Sequence, residues 1–421
     1  FGKPPKMHRD VTTVEPSLHA LDMAGVDFSE ALDKVLCLPT VASKSFLITI
    51  GDRTVSGLVS RDQMVGPWQV PVADCAVTTV SYDSYAGEAM AMGERTPLAI
   101  INAPASGRMA IAEALTNIAA APIAKLSDIK LSANWMAAAG HGNDDAALFD
   151  TVKAVGDELC PELGLCIPVG KDSLSMRTKW QDDGKDKQVS SPVSLVVTAF
   201  APVTDASKTL TPELHGDADS ELLLIDLAAT IKEPRLGGSA LAQVYSQVGN
   251  TAPDLSSAAE LKSFFELIQK ANQQGLLVAY HDRSDGGLLA ALTEMAFAGR
   301  CGLDIGLRSA DQQSQLAELF NEELGAVVQV AAGKRDDFQQ LLEASGLAGH
   351  CRVVATLNDV DEVRIAASDV PLFSATRAEL QQTWSQTSFQ IQKLRNNPAC
   401  AEQEFSLIAS DDPGLHSELT F

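Results

Sequence analysis

Residues 281–288, with the sequence His-Asp-Arg-Ser-Asp-Gly-Gly-Leu, place two carboxylates, a hydroxyl and two glycines between an apolar run and a helical pattern. The run 275–280 predicts a strand before this octapeptide, and residues 288–298 predict a helix after it. A strand-to-helix turn gathers free N–H groups and the positive end of a helix dipole, which favour phosphate. Carboxylates hold a hard divalent cation, and the cation holds phosphate. The octapeptide therefore predicts an Mg²⁺–nucleotide site. The alternative is a simple helix start, capped by Ser284 or Asp285.

Three further oxygen-bearing residues could contribute to such a site. Glu113 and Asn117 lie four residues apart in a predicted helix over 108–120, and hence on one face of it. Asp74 stands immediately before a predicted strand over 76–80. All three side chains are suitable ligands for Mg²⁺. Taken alone, the helix pair also fits an ordinary solvated face, and Asp74 fits an ordinary turn.

Two polar segments are candidate anion sites. Lys171 and Ser173 follow Gly170 and an apolar run, so a charge and a hydroxyl could meet a ligand that approaches the backbone closely. An ordinary turn is the alternative. Arg53 or Arg61, in the glycine-punctuated loop 51–67, could bind phosphate or be plain surface charge. That loop lacks the Walker lysine pattern, so it is not a P-loop.

Composition excludes several classes of protein. A net charge of −23 argues against a nucleic-acid partner, because such a protein needs basic surface to displace counterions. The seven cysteines are scattered and form no CxxC pair, which fits a reducing cytoplasm rather than a zinc or disulfide framework. No apolar run approaches the ~18 residues of a membrane span, so we expect no membrane association through such a helix.

The elements that must position these residues alternate irregularly along the first half of the chain. We predict helices over 28–36, 84–92, 108–120 and 144–159, and strands over 45–50, 76–80, 97–102, 129–135 and 193–201. The turn after the first of these strands is placed at residues 51–52. This order predicts an α+β fold with mixed α/β layers rather than a strict βαβ barrel.

A polar stretch near residues 204–219 predicts a domain boundary. A second α/β unit begins with the strand 221–227, contains the octapeptide, and includes strands over 325–330 and 353–356. A helix over 378–396 and a polar tail follow; the tail is interpreted as a linker, with a docked arm as the alternative. The predicted divisions are a lead-in segment, an N-terminal domain, a C-terminal domain, and a helix with linker: 1–40, 41–205, 220–370 and 371–421.

Several strings together resemble one family. They are HDRSDGGL (281–288), FNEELGAVV (320–328), RDQMVGPWQVPV (61–72), GEAM (87–90), EALTNI (113–118), LSANWM (131–136), VGKDS (169–173) and GGSALA (237–242). The chain resembles the aminoimidazole ribonucleotide synthetase superfamily and, within it, the large single-chain bacterial type of phosphoribosylformylglycinamidine synthase. The resemblance covers nearly the whole chain.

The resemblance implies a fold and an activity. The fold is a synthetase-like N-terminal domain followed by its C-terminal α/β domain, as in the second half of the synthetase core. The family enzyme is an ATP-dependent C–N ligase of purine biosynthesis that uses glutamine as amido donor. It converts formylglycinamide ribonucleotide, glutamine and ATP to formylglycinamidine ribonucleotide, glutamate, ADP and phosphate. Implied partners are the first synthetase half and a glutaminase domain of the same full-length chain.

The resemblance also implies roles for particular residues. The Mg²⁺ ligands would be Asp74, Glu113, Asn117 and Asp282. Nucleotide contacts would come from Ala73 and Ser284, so the implied cofactors are Mg²⁺ and ATP or ADP. Contacts to the anionic substrate would come from Lys171, Ser173 and Arg61. No catalytic residue is assigned.

Three alternatives remain open at this point. The chain has no cysteine in a Gly-x-Cys-x-Gly setting, so glutamine hydrolysis is not encoded, and we expect this chain alone to be inactive. We expect its Mg²⁺-dependent nucleotide binding to be weak or absent, because half of the composite site implied by the resemblance is missing. The nucleotide site in this half could be catalytic, or it could hold ADP as a structural ligand. A free-standing relative, such as aminoimidazole ribonucleotide synthetase or selenophosphate synthetase, fits the long loop 61–70 and the linker-like tail less well.

Overall fold

The computed structural model describes residues 12, 16–51, 53–216, 221–418 and 420. The fold is α+β, as predicted, and consists of an amino-terminal unit around one sheet and a carboxyl-terminal unit around another. Of the predicted turn at 51–52, Asp52 lies outside the described residues. No described helix is both long and apolar enough to cross a bilayer.

The amino-terminal unit is a six-stranded sheet with helices on one face and a separate two-stranded hairpin, β6–β7. The sheet order is β1-β2-β3-β8-β4-β5, antiparallel except for the parallel pair β4–β5. The strands are β1 (Val59–Arg61), β2 (Ala76–Thr79), β3 (Gly87–Glu94), β4 (Lys130–Met136), β5 (Val169–Ser173), β6 (Arg177–Asp182), β7 (Lys185–Ser190) and β8 (Ser194–Val203). The helices up to this sheet's end are α1 (Phe28–Cys37), α2 (Ser45–Ile48), α3 (Ala103–Ile118), α4 (Asp144–Lys153) and α5 (Cys160–Leu163), with a π-helical segment, Ala154–Leu159, between the last two.

Helix α3 fills the inner face of this sheet. The Asn102 side chain accepts the amide of Ala105 and caps the helix, and Pro104 occupies its first turn, where a missing N–H has no cost. Small residues along the helix allow close packing. At Gly93 of β3, a Cβ atom would collide with the α3 backbone, so only glycine permits this approach. The close contact brings the end of β3 beside Glu113.

The carboxyl-terminal unit is a seven-stranded mixed sheet in the order β10-β12-β9-β13-β11-β14-β15. Both of its faces are covered: in β9, Leu223 and Ile225 enter one core, and Leu222 and Leu224 enter the other. The strands are β9 (Glu221–Asp226), β10 (Leu277–Asp282), β11 (Gly302–Leu307), β12 (Gly325–Val330), β13 (Cys351–Asn358), β14 (Glu362–Ala367) and β15 (Val370–Thr376). The helices are α6 (Ala240–Val244), α7 (Ala258–Gln273), α8 (Gly287–Gly299), α9 (Gln312–Phe320), α10 (Arg335–Ala344), α11 (Arg377–Arg395) and α12 (Pro398–Ser406).

The two units share one continuous core. Buried residues of α3 and the first sheet pack against α7 and one face of the second sheet. The hydroxyl of Tyr280, in β10, donates to the carbonyl of Thr116, in α3, at 2.6 Å. Arg108 of α3 makes two hydrogen bonds to Asp254, at 2.8 and 2.6 Å. These contacts place the end of β10 against α3, where the candidate metal ligands lie.

The segment after α12 lies against the amino-terminal unit. The indole N–H of Trp68 donates to the carbonyl of Asp412 at 2.8 Å, and the amide of Leu415 donates to the carbonyl of Pro67 at the same distance. Arg300 donates to the carbonyl of Ser410 at 3.0 Å. Residues 410–415 thus have the contacts of a docked arm, whereas the linker role of this segment stays a prediction.

Three local predictions are wrong. Residues 45–50, predicted as a strand, contain the short helix α2, which packs on α11. Residues 84–92, predicted as a helix, lie mostly in β3, where side chains alternate strictly between buried and exposed. Residues 97–102, predicted as a strand, lie largely in a 3₁₀ turn, Thr96–Ile100. In the second case alanine, methionine and glutamate suggested a helix, but β3 is a strand because it pairs with β2 on one side and with β8 on the other.

Candidate functional site

Asp74 and Asp282 meet at the boundary between the two units. Asp74 precedes β2, and Asp282 is the last residue of β10. The amide of Asp282 donates to Oδ1 of Asp74 at 3.0 Å. Among the described residues, ligand atoms of Asp74, His281 and Asp282 lie within 4.8 Å of one another. The site is therefore formed by two units rather than by one loop.

His281 holds Asp74 in place. Its Nδ1 lies 2.8 Å from Oδ1 of Asp74, and its Nε2 lies 2.8 Å from Oε2 of Glu294. Burial opposes the charged imidazolium, but the two carboxylates raise the pKa of His281 well above its usual value. Each ring nitrogen thus lies within hydrogen-bond distance of a carboxylate, which suits His281 to orienting the Asp74 side chain.

Two buried carboxylate oxygens of the described residues lack a hydrogen-bond partner. Within the described part of the chain, no hydrogen-bond donor reaches Oδ2 of Asp74 or Oδ2 of Asp282, and both atoms are buried. Buried carboxylate oxygens without partners carry a large desolvation cost. Burial, Asp74 and Glu113 together raise the pKa of Asp282 well above its usual value. An oxygen-only set of this kind suits a hard divalent cation such as Mg²⁺, which would satisfy both oxygens.

Glu113 joins this group through Ser284. The Ser284 hydroxyl donates to Oε1 of Glu113 in a short hydrogen bond, and the amide of Glu94 donates to Oε2 at 2.7 Å. Each carboxylate oxygen retains a second lone pair, so ligation of a cation remains open to Glu113. Burial raises the pKa of Glu113 to about 7, an effect that Arg95 opposes.

The other two implied residues lie at the edge of the group. Asn117 lies one turn beyond Glu113 on α3, and its amide nitrogen donates to the carbonyl of Met92 at 3.0 Å. Ala73 precedes Asp74, and its amide donates to the carbonyl of Gln63 at 3.3 Å. The roles of both residues as metal or nucleotide contacts stay predictions.

The loop after β10 depends on its two glycines. Gly286 and Gly287 have φ values of +84° and +69°, a region that other residues adopt with strain. A Cβ atom on Gly287 would lie 2.7 Å from the carbonyl oxygens of Leu319 and Asn321. Gly286, not Ser284 or Asp285, is the N-cap of α8, and it has no capping side chain. The alternative of a simple capped helix is therefore wrong.

Acidic side chains outnumber basic side chains around this loop. Burial lowers the pKa of Lys44, which lies near Glu294 and Asp285, while Arg95 stays charged. Six carboxylic acids share three basic side chains here: Asp74, Glu113, Asp282, Asp285, Glu294 and Glu322 against Lys44, Arg95 and His281. A divalent cation would offset this excess.

Two family models match the two units in order. Residues 43–202 match the FGAR-AT PurM_N-like domain, and residues 221–368 match the C-terminal domain of AIR synthase related proteins. The chain therefore consists of an FGAR-AT PurM_N-like domain followed by an AIR synthase-related C-terminal domain. The two matched domains contribute Asp74 with Glu113 and Asp282 with Ser284, respectively, so the group of carboxylates lies between them.

Solved structures of PurL from *Thermotoga maritima* have the same fold. The complex with FGAR is 12% identical, has a TM-score of 0.60, and is matched over 84% of this chain and 53% of that one. The complex with ADP is 13% identical, with a TM-score of 0.54 over 76% and 47%. PurLQS is 15% identical, with a TM-score of 0.51 over 77% and 48%. The chain thus spans about half the length of these relatives.

Of the three candidate anion contacts, Arg61 lies apart from Lys171 and Ser173. Arg61 is in β1, at one edge of the six-stranded sheet, and Lys171 and Ser173 are in β5, at the opposite edge. Lys171 is exposed, and its ammonium donates to the Ser173 hydroxyl at 3.0 Å. The structure does not bring Arg61 together with the other two, so they do not form one site within this chain.

Several residues around the site were missed from the sequence. His281 and Glu322 lie inside strings that had been singled out, but no pattern distinguished them from their neighbours. Arg95 directly follows β3 and could have been noticed only after 84–92 was recognised as a strand. Lys44 donates to the carbonyls of Thr40 and Ala42, at 2.7 and 2.5 Å, and its sequence context carried no signal.

Proposed function

We propose that this chain carries the Mg²⁺–adenine nucleotide site in the second half of a phosphoribosylformylglycinamidine synthase. The full protein would convert formylglycinamide ribonucleotide, glutamine and ATP to formylglycinamidine ribonucleotide, glutamate, ADP and phosphate. It would act in purine biosynthesis in the cytoplasm, and ammonia would come from a glutaminase domain outside this chain. The domain order and the FGAR and ADP complexes of the *T. maritima* relatives support this proposal.

One observation carries the proposal. The buried Oδ2 atoms of Asp74 and Asp282 have no donor among the described residues, although the Asp282 amide holds the Asp74 carboxylate beside it. A protein retains such a costly arrangement where a ligand compensates for it. The ligand must be a cation that is coordinated by oxygen atoms, which favours Mg²⁺.

Each residue would have a distinct role when the site is loaded. Asp74 and Asp282 would bind the cation, with Glu113 and Asn117 completing the protein ligands. His281 would keep Asp74 oriented, as its two hydrogen bonds indicate. The Ser284 hydroxyl would leave Glu113 and contact a phosphate or ribose oxygen. Mg²⁺ supplies neutralisation of polyphosphate charge at such a site.

A second candidate function is structural. The side chain of Asp74 is 1% exposed, and the site joins two units that are otherwise separate in sequence. A ligand held this deeply would stabilise the folded state through its binding free energy alone. In this alternative ADP remains bound as a structural ligand, while turnover occurs in the first half of the synthetase.

The outer face of this chain's six-stranded sheet is a candidate surface for binding the first synthetase half. Met90, Met92 and Phe200 are adjacent on β3 and β8 and are 42%, 57% and 40% exposed. An exposed apolar patch on a sheet is typical of a protein interface. We propose that a sheet of the first half covers it, which fits the half-length match to PurL.

Titration with Mn²⁺, followed by electron paramagnetic resonance, tests the site directly. We expect one Mn²⁺ per chain, and loss of binding in Asp74→Asn and Asp282→Asn. ADP should bind weakly to this chain and more tightly once the first half is added. Absence of Mn²⁺ binding by the unaltered chain would overturn the proposal.

The full-length enzyme separates the two candidate functions. If Asp282→Asn abolishes turnover without changing the melting temperature, the site is catalytic. If the melting temperature and the bound ADP fall while turnover persists, the structural role is correct.

A further inference from the structure

Arg95 crosses from the amino-terminal unit into the carboxyl-terminal unit. Its Nη2 lies 2.6 Å from Oε2 of Glu322, and its Nη1 lies 3.0 Å from Oδ1 of Asp285. The guanidinium is buried, with 4% of the side chain exposed. Both acceptors belong to segments that border the candidate metal site. Both ion pairs of this buried arginine are therefore made with carboxylates of the carboxyl-terminal unit.

Glu322 ties three separate segments together. Its Oε2 accepts from Arg95, while its Oε1 accepts the amides of Gly286 and Ala240, each at 2.8 Å. Gly286 is part of the loop that carries Asp282 and Ser284. Ala240 is the first residue of α6. The Glu322 carboxylate thus bonds to three groups: the loop 282–287, the first residue of α6, and Arg95 of the amino-terminal unit.

The backbone of Arg95 is itself fixed to α3. The Ser106 hydroxyl donates to the carbonyl of Arg95 at 2.7 Å, and both groups are buried. Helix α3 also carries Glu113. A continuous set of buried hydrogen bonds therefore connects the helix that holds one ligand to the loop that holds another.

A purely stabilising ion pair is the plain alternative. Buried ion pairs often contribute little net stability, because desolvation offsets their attraction. Their directional hydrogen bonds can nevertheless select one relative arrangement of two segments. The position of this pair between the two sets of ligands favours the second role.

We propose that Arg95 and Glu322 are a positioning pair that sets the distance between Asp74 with Glu113 on one unit and Asp282 with Ser284 on the other. The identity of the ligand rests on the proposed function above. The positioning itself is a property of the unliganded chain and can be tested without any ligand.

Hydrogen–deuterium exchange of the whole chain tests the pair. Arg95→Met should raise exchange in segments 283–287 and 240–242 by about tenfold or more, since local opening controls exchange there. The matched control is Arg108→Met, because Arg108 also joins the two units through Asp254, but its guanidinium forms no hydrogen bond with residues 282–287, all of which the structure describes. This control should leave both segments unchanged.

Two further variants keep the test decisive if Arg95→Met folds poorly. Arg95→Lys retains the charge but cannot bond both acceptors in the same planar geometry, so partial release of the loop is expected. The double variant Arg95→Met/Glu322→Leu removes both charges of the pair at once, so neither is left buried without its partner. This variant should fold, and its segment 283–287 should exchange faster. Unchanged loop exchange in these variants, or equal release in Arg108→Met, would overturn the inference.

Mn²⁺ binding separates this inference from the proposed function. If the unaltered chain binds no Mn²⁺, the metal proposal fails, while the exchange data still decide the role of the pair. If the unaltered chain binds Mn²⁺, Arg95→Lys should weaken that binding and Arg108→Met should not. Equal binding by all three proteins would contradict positioning of the ligands.

Discussion

Asp74 and Asp282 are 208 residues apart in the chain, yet the backbone amide of one donates to the side chain of the other at 3.0 Å. This hydrogen bond holds the Asp74 carboxylate against the backbone at the end of β10. If a cation binds here as proposed, the Asp74 carboxylate is already oriented, so little of its conformational entropy would be lost on binding.

Replacing Asp282 by asparagine should stabilise the chain without metal and remove its response to metal. We expect the free energy of unfolding to rise by about 1 kcal/mol, because a buried carboxylate without sufficient partners is removed. Denaturant unfolding with and without Mg²⁺ measures both effects. The control is Asp157→Asn, at an exposed carboxylate, which should keep the Mg²⁺ response. An Mg²⁺ response retained in Asp282→Asn would contradict the assigned ligand.

Gly287→Ala should destabilise the chain by about 2–4 kcal/mol, since strain at positive φ is added to overpacking against two carbonyl oxygens. The matched control is Gly275→Ala, where φ is +65° but no atom lies within 4 Å of the added Cβ. That change should cost only about 1 kcal/mol. Urea unfolding of the two variants compares them, and equal losses would show that the loop has room to relax.

The stability of the chain without divalent cations should fall as pH rises from about 4.5 to about 7. Burial raises the pKa of Glu322 to about 7 from an ordinary value of 4.5, and Arg95 opposes this rise. Within that window the folded chain keeps a proton that the unfolded chain has lost, so rising pH favours unfolding. Glu322→Gln should reduce the slope of the free energy of unfolding against pH by the contribution of about one proton. Urea unfolding across this range measures the slope, and identical slopes would refute the assignment.

Met92→Asp should prevent association with the first synthetase half. Aspartate at the centre of the apolar face would have to be buried without a partner, at a cost of several kcal/mol, on the order of a hundredfold or more in affinity. Analytical ultracentrifugation of the mixed halves measures the change. Leu394→Asp is the control, because Leu394 is 89% exposed and lies on α11, away from the sheet. Comparable loss in both variants would place the interface elsewhere.

Regular elements were predicted well where the apolar pattern was clear. Helix α3 and strands β4, β8, β9 and β12 follow their apolar patterns closely. Strand β3 was missed because its residues have high helix propensity, and its conformation depends on pairing with strands distant in sequence. The hairpin β6–β7 was also missed, since nearly all its side chains are exposed and no apolar alternation marks it.

The site was only partly predictable for a related reason. Asp282 and Ser284 stood out because several polar groups share one turn, whereas the local signals of Asp74 and Glu113 also fitted an ordinary turn and a solvated helix face, and the family resemblance assigned both to the site. The partners that orient them, His281 and Arg95, act through contacts between units. Such contacts depend on tertiary packing, which the order of residues along the chain does not display.

Because the carboxylate group is divided between two units, the order of synthesis has a consequence for folding. A ribosome releases the segment with Asp74, Arg95 and Glu113 well before β10 and the loop with Glu322 exist. The nascent amino-terminal unit must hold the Arg95 charge without its carboxylate partners until the later segment docks. Co-translational folding of the first unit therefore leaves Arg95 without its ion pairs. Docking of the second unit is the step that forms them.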